Sequence, residues 1–358
     1  RKARHGTACP WLLEPIGCAR FDLVPQETPF VSLKGERERM KAIVVKEFGG
    51  PEVLALREFP IRAPGRGEVL VALRSAGVNP VETYIRSGAY PLLPKLPYVP
   101  GTDGAGVIEA VGPDVSDLVP GDRVYLLGSL TGTYAEKTLC RAEDARPLPE
   151  NITFEEGAAI NIPYITAARA LWEKGSLESG RSVLVRGASG AVGLAAVQLA
   201  SLHLAPVFGT ASTEPGREAV LAAGAQEALT HDDVRLAEIA REQPNAGFDL
   251  ILEMRADINL DSDLDLLAKR GRVVIVGNRG RTEIDPRKIM GRDASVIGLS
   301  YWNATAEEKA AALEPVERLL FADRLRPVIG KRFPLSQADR AHKEILEGPA
   351  LGKIVLMI

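Results

Sequence analysis

The chain has 358 residues, room for about two domains, and its 46% hydrophobic and 25% charged residues are typical of a globular protein. The formal net charge of −3 gives no electrostatic case for binding nucleic acid or an anionic membrane, and no apolar run approaches the roughly 20 residues needed to cross a bilayer. The three cysteines, Cys9, Cys18 and Cys140, lack metal-type spacing and are odd in number, which argues against a disulfide framework and favours a reducing, cytoplasmic location.

Residues 1–39 differ in character from the rest of the chain. They have no sustained hydrophobic periodicity, and the first clear strand pattern begins at Met40. We expect this segment to be a disordered extension or a mis-assigned start. A mitochondrial presequence is the alternative, but such segments are poor in acids, and Glu14, Asp22 and Glu27 count against it.

From Met40 the pattern is that of β structure. Short apolar runs separated by glycine and proline turns predict strands at 41–48, 53–59, 68–78, 107–111, 123–128 and 133–139. A short helix is predicted at 81–87. Many short strands with glycine turns indicate a closed or nearly closed β unit.

The stretch 181–200 organises the second half of the chain. An apolar run at 183–185 predicts a buried strand, Gly187, Gly190 and Gly193 follow at even spacing, and good helix formers come next. In this context glycines permit a sharp turn, close approach of the backbone to a pyrophosphate, and close packing of helix and strand. The helix N-terminus offers free N–H groups to phosphates. The stretch therefore predicts a dinucleotide site.

Two alternatives fit the same stretch. The glycines could form a tight turn without a ligand, and Gly187-Ala188-Ser189-Gly190-Ala191 is one residue away from the nucleophile elbow of α/β-hydrolases. A hydrolase would also need an Asp and then a late His, and His342, the one late histidine, lies inside a helical pattern. A continuous strand, turn and helix with three glycines in the turn fits a cofactor site better than a hydrolase site.

A regular alternation of strands and helices surrounds the glycine turn. Strands are predicted at 182–186, 206–209, 227–230, 248–253, 272–276 and 294–299, and helices at 192–202, 216–223, 234–241 and 260–269. This alternation predicts a parallel, doubly wound sheet. A helical period over 154–177 precedes it, with Pro163 expected to break the helix in two.

The last part of the chain is too small for a core of its own. Its pattern predicts helices at 306–325 and 336–346 and a strand at 353–358, which should return to the β unit. We therefore expect a catalytic domain at 40–160, completed by 303–358, and a cofactor-binding domain at 161–302.

Four stretches together resemble one known family. They are 48–54, 76–88, 187–196 and 274–280, of which the second is highly specific. From Met40 onward the chain resembles the medium-chain dehydrogenase/reductase superfamily, and within it the zinc-free quinone oxidoreductase branch close to zeta-crystallin. The resemblance implies an α/β fold that joins a GroES-like β-barrel catalytic domain to a doubly wound parallel Rossmann domain. It also implies NADPH-dependent reduction of quinones by a cytoplasmic homo-oligomer, a dimer or a tetramer.

The end of the second Rossmann strand, at 209–213, distinguishes the two nicotinamide cofactors. An NAD enzyme places Asp or Glu there to bind the ribose hydroxyls, and this chain has no carboxylate there to repel a 2′-phosphate. Hydroxyl and N–H groups, including those of Ser212, can accept the phosphate, and Arg217 lies one helical turn further on. Glu214 is the exception, and we expect it to point to solvent. The pattern predicts NADPH.

The resemblance also implies individual cofactor contacts, although each residue alone is an ordinary loop or strand-end position. His231 ends the third strand, on the adenine side. The other implied contacts are Tyr84, Ser189, Gly190, Ala191, Val192, Ser212, Asn259, Val276, Gly277, Asn278, Arg279, Leu299, Ser300 and Tyr301. Most lie at the carboxyl ends of parallel strands, the edge at which such sheets bind ligands. Ser212 departs from related proteins, which have glycine there.

The resemblance argues against zinc. The zinc-dependent branch has a cysteine and a Gly-His-Glu in the β domain, where this chain has Asn79 and the 101–103 run Gly-Thr-Asp, and the four-cysteine lobe is missing. A quinone is already a strong electron acceptor, so its reduction mainly needs the nicotinamide held close to it.

We expect Asn79, Tyr84 and Tyr90 to line a substrate pocket between the domains, with Tyr84 hydrogen-bonding cofactor or substrate. Tyr90 could equally be a loop aromatic packed beneath Pro91. No essential acid or base is assigned, because water can protonate a reduced quinone.

Two further functions stay open at this point. The same cofactor site would serve NADPH-dependent reduction of an α,β-unsaturated carbonyl. An RNA-binding or crystallin-like structural role, both implied by the wider family, has no support from a basic stripe with interleaved aromatics. The expected partner is a small-molecule quinone, with no zinc, no membrane and no nucleic acid.

Overall fold

The computed structural model describes residues 38–358. The expectation for residues 1–37 lies outside the described residues. The first strand, predicted at 41–48, spans Glu38–Val44. It begins three residues early because Glu38 and Arg39 pair with Ile61 and Pro60 of the next strand.

Seven strands and one helix form the first β region. They are β1 (Glu38–Val44), β2 (Ala55–Ile61), β3 (Glu68–Val78), α1 (Pro80–Ser87), β4 (Asp103–Val111), β5 (Arg123–Leu126), β6 (Lys137–Arg141) and β7 (Ala145–Pro147). β1 and β2 form an antiparallel ribbon, and β4 and β6 both pair antiparallel with β3. Backbone bridges from Ala42 to Ala135 and from Val45 to Tyr98 attach the ribbon to the larger sheet.

Most strands of this region differ from their predicted bounds by a few residues, and β7 has no predicted counterpart. The largest delay of a strand start is in β6. The strand predicted at 133–139 spans Lys137–Arg141 instead. Gly132 turns the chain with a left-handed φ of +85°, and Thr133 and Tyr134 donate their N–H groups to Gly101 and Pro100. Local turn geometry therefore delays the start of β6.

Helices lead from the β region into the second sheet. They are α2 (Phe154–Gly157) and α3 (Asn161–Ala168), which continues into a π-helical turn at Arg169–Lys174. The predicted break at Pro163 is wrong, because the interruption falls at 158–160. Pro163 is the third residue of α3, where a backbone N–H would have no helical partner to lose.

The second sheet is parallel and doubly wound, as predicted. Its strands are β8 (Val183–Val185), β9 (Val207–Thr210), β10 (Glu227–Leu229), β11 (Phe248–Glu253), β12 (Leu267–Ile275) and β13 (Ser295–Gly298). The order is β10-β9-β8-β11-β12-β13, so the winding reverses between β8 and β11. A crevice at the carboxyl ends of these two strands is the expected ligand position in such a sheet.

Five helices cover this sheet. They are α4 (Ala191–Leu202), α5 (Glu214–Ala222), α6 (Arg235–Glu242), α7 (Ala256–Leu266) and α8 (Pro286–Met290). The helix predicted at 260–269 starts four residues earlier and ends at Leu266, because Leu267 already pairs with Phe248 of β11. Sheet pairing therefore overrides the local helical period.

The end of the chain returns to the first sheet. It forms α9 (Ala306–Phe321), β14 (Ile329–Pro334), α10 (Ala338–Glu347) and β15 (Lys353–Met357). β15 pairs antiparallel with β3 and parallel with β14, which gives the order β14-β15-β3-β4-β5-β7 with β6 also on β3. β14 has no predicted counterpart, because its residues 330–332 lack apolar alternation. The domain boundaries at 160 and 302 stay a prediction.

Alternating side chains of β8 pack on opposite faces of the parallel sheet. Val183 and Val185 join the core that includes Leu199 of α4 and Val316 of α9. Leu184 joins the core on the other face, with α6 and α7. Within residues 38–358, we find no helix with the length and apolar character to cross a membrane.

Candidate active site

The glycine turn joins β8 to α4, and its three glycines differ in whether and why the fold requires glycine at that position. Gly187 has a left-handed φ of +69°. A Cβ on Gly193 would lie 2.6 Å from the carbonyl oxygens of Gly187 and Ala188, so only glycine lets α4 start this close to β8. A Cβ on Gly190 would meet no protein atom closer than 3.7 Å, so the fold itself does not require glycine there.

The N-terminus of α4 presents free donors at this turn. Gly190, the N-cap residue, has no side chain to accept a hydrogen bond, and the first helical bond runs from Leu194 N to Gly190 O. The N–H groups of Ala191, Val192 and Gly193 therefore have no partner within the helix, and they lie at the positive end of the helix dipole. An anion fits this position.

The loop before β15 packs on the glycine turn. Gly352 N donates to Ser189 O at 2.8 Å, and Gly190 and Gly352 form a parallel bridge. Ser189 is buried, and we find no hydrogen bond from its side chain to a histidine within residues 38–358. His342 is instead buried in α10, with its Nε2 3.1 Å from the Tyr134 hydroxyl. The nucleophile-elbow alternative therefore lacks its base.

His231 lies two residues beyond the end of β10. Its Nδ1 is 2.8 Å from Thr210 Oγ1, at the end of β9. Burial and the nearby Arg186 guanidinium lower the pKa of His231, which keeps the imidazole neutral near pH 7. A neutral ring can exchange a hydrogen bond with a ligand but adds no charge at this position.

The residues after β9 include a paired arginine. Ser212 is exposed, and Arg217 in α5 forms an ion pair with Glu214. Glu214 faces solvent as expected, with 67% of its side chain exposed, but it also neutralises Arg217. Arg217 Nη1 lies 3.5 Å from Ala211 O, so the guanidinium rests against the end of β9.

A buried charged cluster supports the carboxyl ends of β8 and β11. Arg186 Nε lies 2.8 Å from Asp263 Oδ1 and 4.0 Å from Glu253 Oε2. Within the described part of the chain, Glu253 Oε2 and Asp263 Oδ2 have no hydrogen-bond partner. Burial and the neighbouring Glu253 raise the pKa of Asp263, so one shared proton can satisfy both oxygens. Asn259, a predicted cofactor contact, donates to Glu253 Oε1 at 3.2 Å.

The predicted contacts Val276, Gly277, Asn278 and Arg279 form the loop after β12. The N–H groups of Val276 and Gly277 both donate to Glu253 O, which holds this loop against the end of β11. Asn278 Nδ2 donates to Gly280 O at 2.7 Å, and Arg279 N donates to Asp257 Oδ1 at 3.1 Å. The loop is therefore fixed at the same sheet edge as the glycine turn.

The predicted contacts Leu299, Ser300 and Tyr301 follow β13. Leu299 N donates to Ile275 O, and Ser300 O accepts a hydrogen bond of 2.9 Å from Arg169 Nη1. The Tyr301 side chain is buried, and its hydroxyl donates to Asn161 Oδ1 at 2.8 Å. The phenol of Tyr301 is thus engaged beneath the loop, which leaves its backbone at the sheet edge.

Two tyrosines of the first β region lie near residues of this edge. Burial raises the pKa of Tyr90, and the nearby Ser300 opposes this shift. Tyr84 lies within electrostatic range of Arg255, which follows β11 and pairs with Asp257 at 3.0 Å. The place of Tyr84 and Tyr90 on the wall of a substrate pocket stays a prediction.

Asn79 lies inside a buried polar cluster. Its Oδ1 accepts a hydrogen bond of 2.6 Å from Lys353 Nζ, and its Nδ2 donates to Asp103 Oδ2 at 3.0 Å. Lys353 Nζ is also 2.6 Å from Asp103 Oδ2. The Asn79 amide is therefore engaged by the protein on both sides, which differs from its predicted place on the pocket wall.

Glu82 of α1 is enclosed next to this cluster. Its Oε2 accepts hydrogen bonds from Asn79 N at 2.9 Å and from the Tyr134 hydroxyl at 2.6 Å. Burial raises the pKa of Glu82 to about 7, although the hydrogen bonds from Tyr134 and Asn79 act in the opposite direction. Glu82 can therefore change its charge near neutral pH without contact with solvent.

The donor set around Asp103 does not fit a metal ion. Among residues 38–358, no three His, Cys, Asp or Glu side chains converge in a group that could hold one. The cation beside Asp103 and Asn79 is the Lys353 ammonium, 2.6 Å from an oxygen of each. A second cation at the same oxygens would be repelled by it.

Four charged residues of the site are absent from the predicted contacts. Arg186 and Glu253 each end or directly follow an apolar strand, and a charge at such a position is a signal that sequence reasoning could have used. Arg255 follows Glu253 closely and could have been found in the same way. Lys353 has no local signal, because its partners lie far away in the chain.

Comparisons with known proteins agree with this geometry. Residues 65–150 match the family model described as alcohol dehydrogenase GroES-like domain, and residues 191–317 match the one described as zinc-binding dehydrogenase. Quinone oxidoreductase of Homo sapiens is 46% identical over 325 residues, which cover 89% of this chain and 98% of the human protein.

Solved structures are also similar. An NAD-dependent alcohol dehydrogenase has a TM-score of 0.82 and 30% identity, over 89% of this chain and all of that one. A mycobacterial protein solved in complex with NADPH has a TM-score of 0.79 and 31% identity, with the same coverage of this chain.

The combination of a GroES-like β region with a Rossmann sheet defines the class of medium-chain dehydrogenases and reductases. Within that class, the chain belongs to the quinone oxidoreductase family, and the predicted resemblance is confirmed.

Replacing Glu82 with Gln should flatten the pH dependence of stability. The pKa of Glu82 is about 7 when folded, against 4.5 as its ordinary value, so the folded state binds this proton more tightly. Its contribution to stability is full below pH 4.5 and is lost as the pH rises through 7, a change of about 3 kcal/mol.

Denaturant unfolding of wild type and E82Q from pH 4.5 to about 8 measures this difference. The exposed E218Q is the matched control and should keep the wild-type slope. An E82Q slope equal to the wild-type slope would contradict the assignment.

Proposed function

We propose that the protein is an NADPH-dependent quinone oxidoreductase that works without zinc. The observation that carries this proposal is the free N-terminus of α4 at the switch point of the parallel sheet. The family membership supports the oxidoreductase class, and the NADPH complex of a structural relative supports the cofactor.

The residues of the glycine turn fit a dinucleotide. The unpaired N–H groups of Ala191 and Val192 suit a pyrophosphate, and the fold leaves space at Gly190 that a side chain would fill. The position after β9 suits a 2′-phosphate, because Ser212 is exposed and Arg217 can exchange the exposed Glu214 carboxylate for a phosphate.

The chain's own residues then bind and orient the reactants. When bound, NADPH supplies the hydride that a quinone accepts. Tyr84 and Tyr90 form the opposite wall, where their rings can stack against a planar acceptor and their hydroxyls can hydrogen-bond to its oxygens. The Lys353 ammonium already neutralises Asp103, which leaves this carboxylate without a free charge to offer a metal ion. Proton delivery to the reduced quinone is left to solvent.

The chain is further proposed to form a homo-oligomer. β13 lies at the edge of the six-stranded sheet, and an edge strand offers unpaired backbone groups to a second copy. Light scattering should give a dimer or tetramer mass, and a monomer mass would contradict this. The cytoplasmic location stays a prediction.

Steady-state oxidation of NADPH tests the activity. The assay uses 1,2- and 1,4-quinones and an α,β-unsaturated ketone, with NADH in parallel, before and after treatment with a chelator. Rapid oxidation of NADPH by quinones that survives the chelator is expected. A strong preference for the ketone would change the substrate class, while loss of activity with chelator would contradict the zinc-free assignment.

Gly190→Ala and Gly193→Ala form a matched pair. G190A should unfold at the wild-type temperature but raise the Kd for NADPH about tenfold, because its methyl group occupies space that the protein leaves open. G193A should lose stability, since its Cβ would lie 2.6 Å from two carbonyl oxygens. Calorimetric titration and thermal unfolding separate the two effects. Wild-type NADPH affinity in G190A would overturn the placement of the pyrophosphate.

Ser212→Asp should shift cofactor preference. A carboxylate at the end of β9 repels a 2′-phosphate and can bind ribose hydroxyls, so the ratio of kcat/KM for NADPH over NADH should fall about tenfold or more. The exposed Ser116→Asp, in the β4–β5 loop, is the matched control and should leave the ratio unchanged. An unchanged ratio in S212D would place the 2′-phosphate elsewhere.

A further inference from the structure

A buried lysine begins β15, directly after the residue that contacts the glycine turn. The Lys353 side chain is 1% exposed, and its Nζ lies 2.6 Å from both Asn79 Oδ1 and Asp103 Oδ2. Asn79 follows β3, Asp103 begins β4, and Lys353 begins β15. One ammonium group therefore ties three strand ends of the first sheet together.

The backbone next to Lys353 reaches the nucleotide side of the site. Gly352 N donates to Ser189 O at 2.8 Å, so the residue before Lys353 is bonded to the glycine turn. Gly352 has a left-handed φ of +58°, and a Cβ there would lie 2.5 Å from Val328 O. The segment that delivers Lys353 is thus fixed against the turn proposed to bind the pyrophosphate.

Asp103, the partner of Lys353, is connected by hydrogen bonds to the other end of the site. Asp103 Oδ1 accepts a hydrogen bond of 3.0 Å from Asn161 Nδ2, and Asn161 Oδ1 accepts one of 2.8 Å from the Tyr301 hydroxyl. Tyr301 directly follows Ser300, which lies beside Tyr90. A continuous set of buried hydrogen bonds therefore joins Lys353 to the loop that faces the substrate side.

Stability alone does not account for this pair. Burying two charges costs desolvation that their attraction barely offsets, and apolar replacements of similar volume are often as stable. The ammonium donates hydrogen bonds to two oxygens at fixed distances. An apolar pair has no such directional bonds, so it would not fix the positions of these groups. The geometry of the cluster, more than its energy, is what the lysine contributes.

We propose that Lys353 is a positioning residue for hydride transfer. It sets the spacing between the glycine turn, where the pyrophosphate binds, and the Ser300–Tyr301 loop, where nicotinamide and acceptor must meet. This inference rests on the proposed function. Errors of about one ångström in such spacing cost large factors in rate while binding is retained.

The test compares Lys353→Met with Lys353→Met/Asp103→Asn. K353M leaves the Asp103 carboxylate buried without its cation, so it should lose both stability and kcat. The double variant removes both charges and should regain the unfolding temperature. Its kcat with NADPH and a quinone should stay about tenfold or more below wild type, with KM for NADPH little changed. The exposed K343M is the matched control.

A binding measurement shows whether the nucleotide domain is intact. Adenosine 2′,5′-bisphosphate carries only the adenine half of NADPH and should bind both variants with wild-type affinity in calorimetric titration. Recovery of wild-type kcat in the stable double variant would overturn the proposal and leave Lys353 a purely structural residue. Wild-type kcat in K353M would overturn it as well.

The same measurements distinguish failure of the proposed function from failure of the role of Lys353. If wild type binds NADPH but reduces no quinone or enone, the proposed function fails. If wild type is active and the double variant equals it, only the role of Lys353 fails.

Discussion

The hydrogen bond from Gly352 N to Ser189 O is the contact on which the geometry of the site depends. It connects the glycine turn of the parallel sheet to the strand that closes the other sheet, since β15 pairs with β3. A backbone hydrogen bond therefore holds the C-terminal segment against the glycine turn. This contact explains how a short C-terminal segment, with no core of its own, can position a cofactor site formed by residues more than a hundred positions earlier in the chain.

Charges at the site fall into two groups with different roles. Arg186 with Asp263, and Lys353 with Asp103, are buried, and each would leave an uncompensated charge if one partner were removed. Arg217 with Glu214 is more exposed, and water screens such a pair. The buried pairs fix the framework, whereas the exposed pair can exchange its carboxylate for a ligand phosphate at little cost. Buried and exposed ion pairs therefore have different roles in the site.

Local pattern was enough to predict the parts of the molecule that local interactions form. The strand, three glycines and helix around Gly190 encode their own turn, and the alternation after it predicts the doubly wound sheet that the structure has. Prediction failed where distant pairing decides. Leu267 leaves its helix to pair with Phe248. The error at Pro163 has a local cause instead, because this proline falls in the first turn of α3, where no helical hydrogen bond is lost. Lys353 lies 274 positions from Asn79 and 250 from Asp103, so no window of sequence holds the cluster.

The proposed reaction is direct transfer of a hydride from NADPH, which would bind at the edge of the parallel sheet, to a quinone. Single-turnover mixing of the enzyme–NADPH complex with excess quinone tests it most directly, using NADPH carrying deuterium at one or the other face of the nicotinamide C4. Slower loss of nicotinamide absorbance is expected with one deuterated form and not with the other, because a fixed site presents one face of the nicotinamide to the acceptor. Equal rates with both forms, or oxidation that does not require the enzyme, would contradict it.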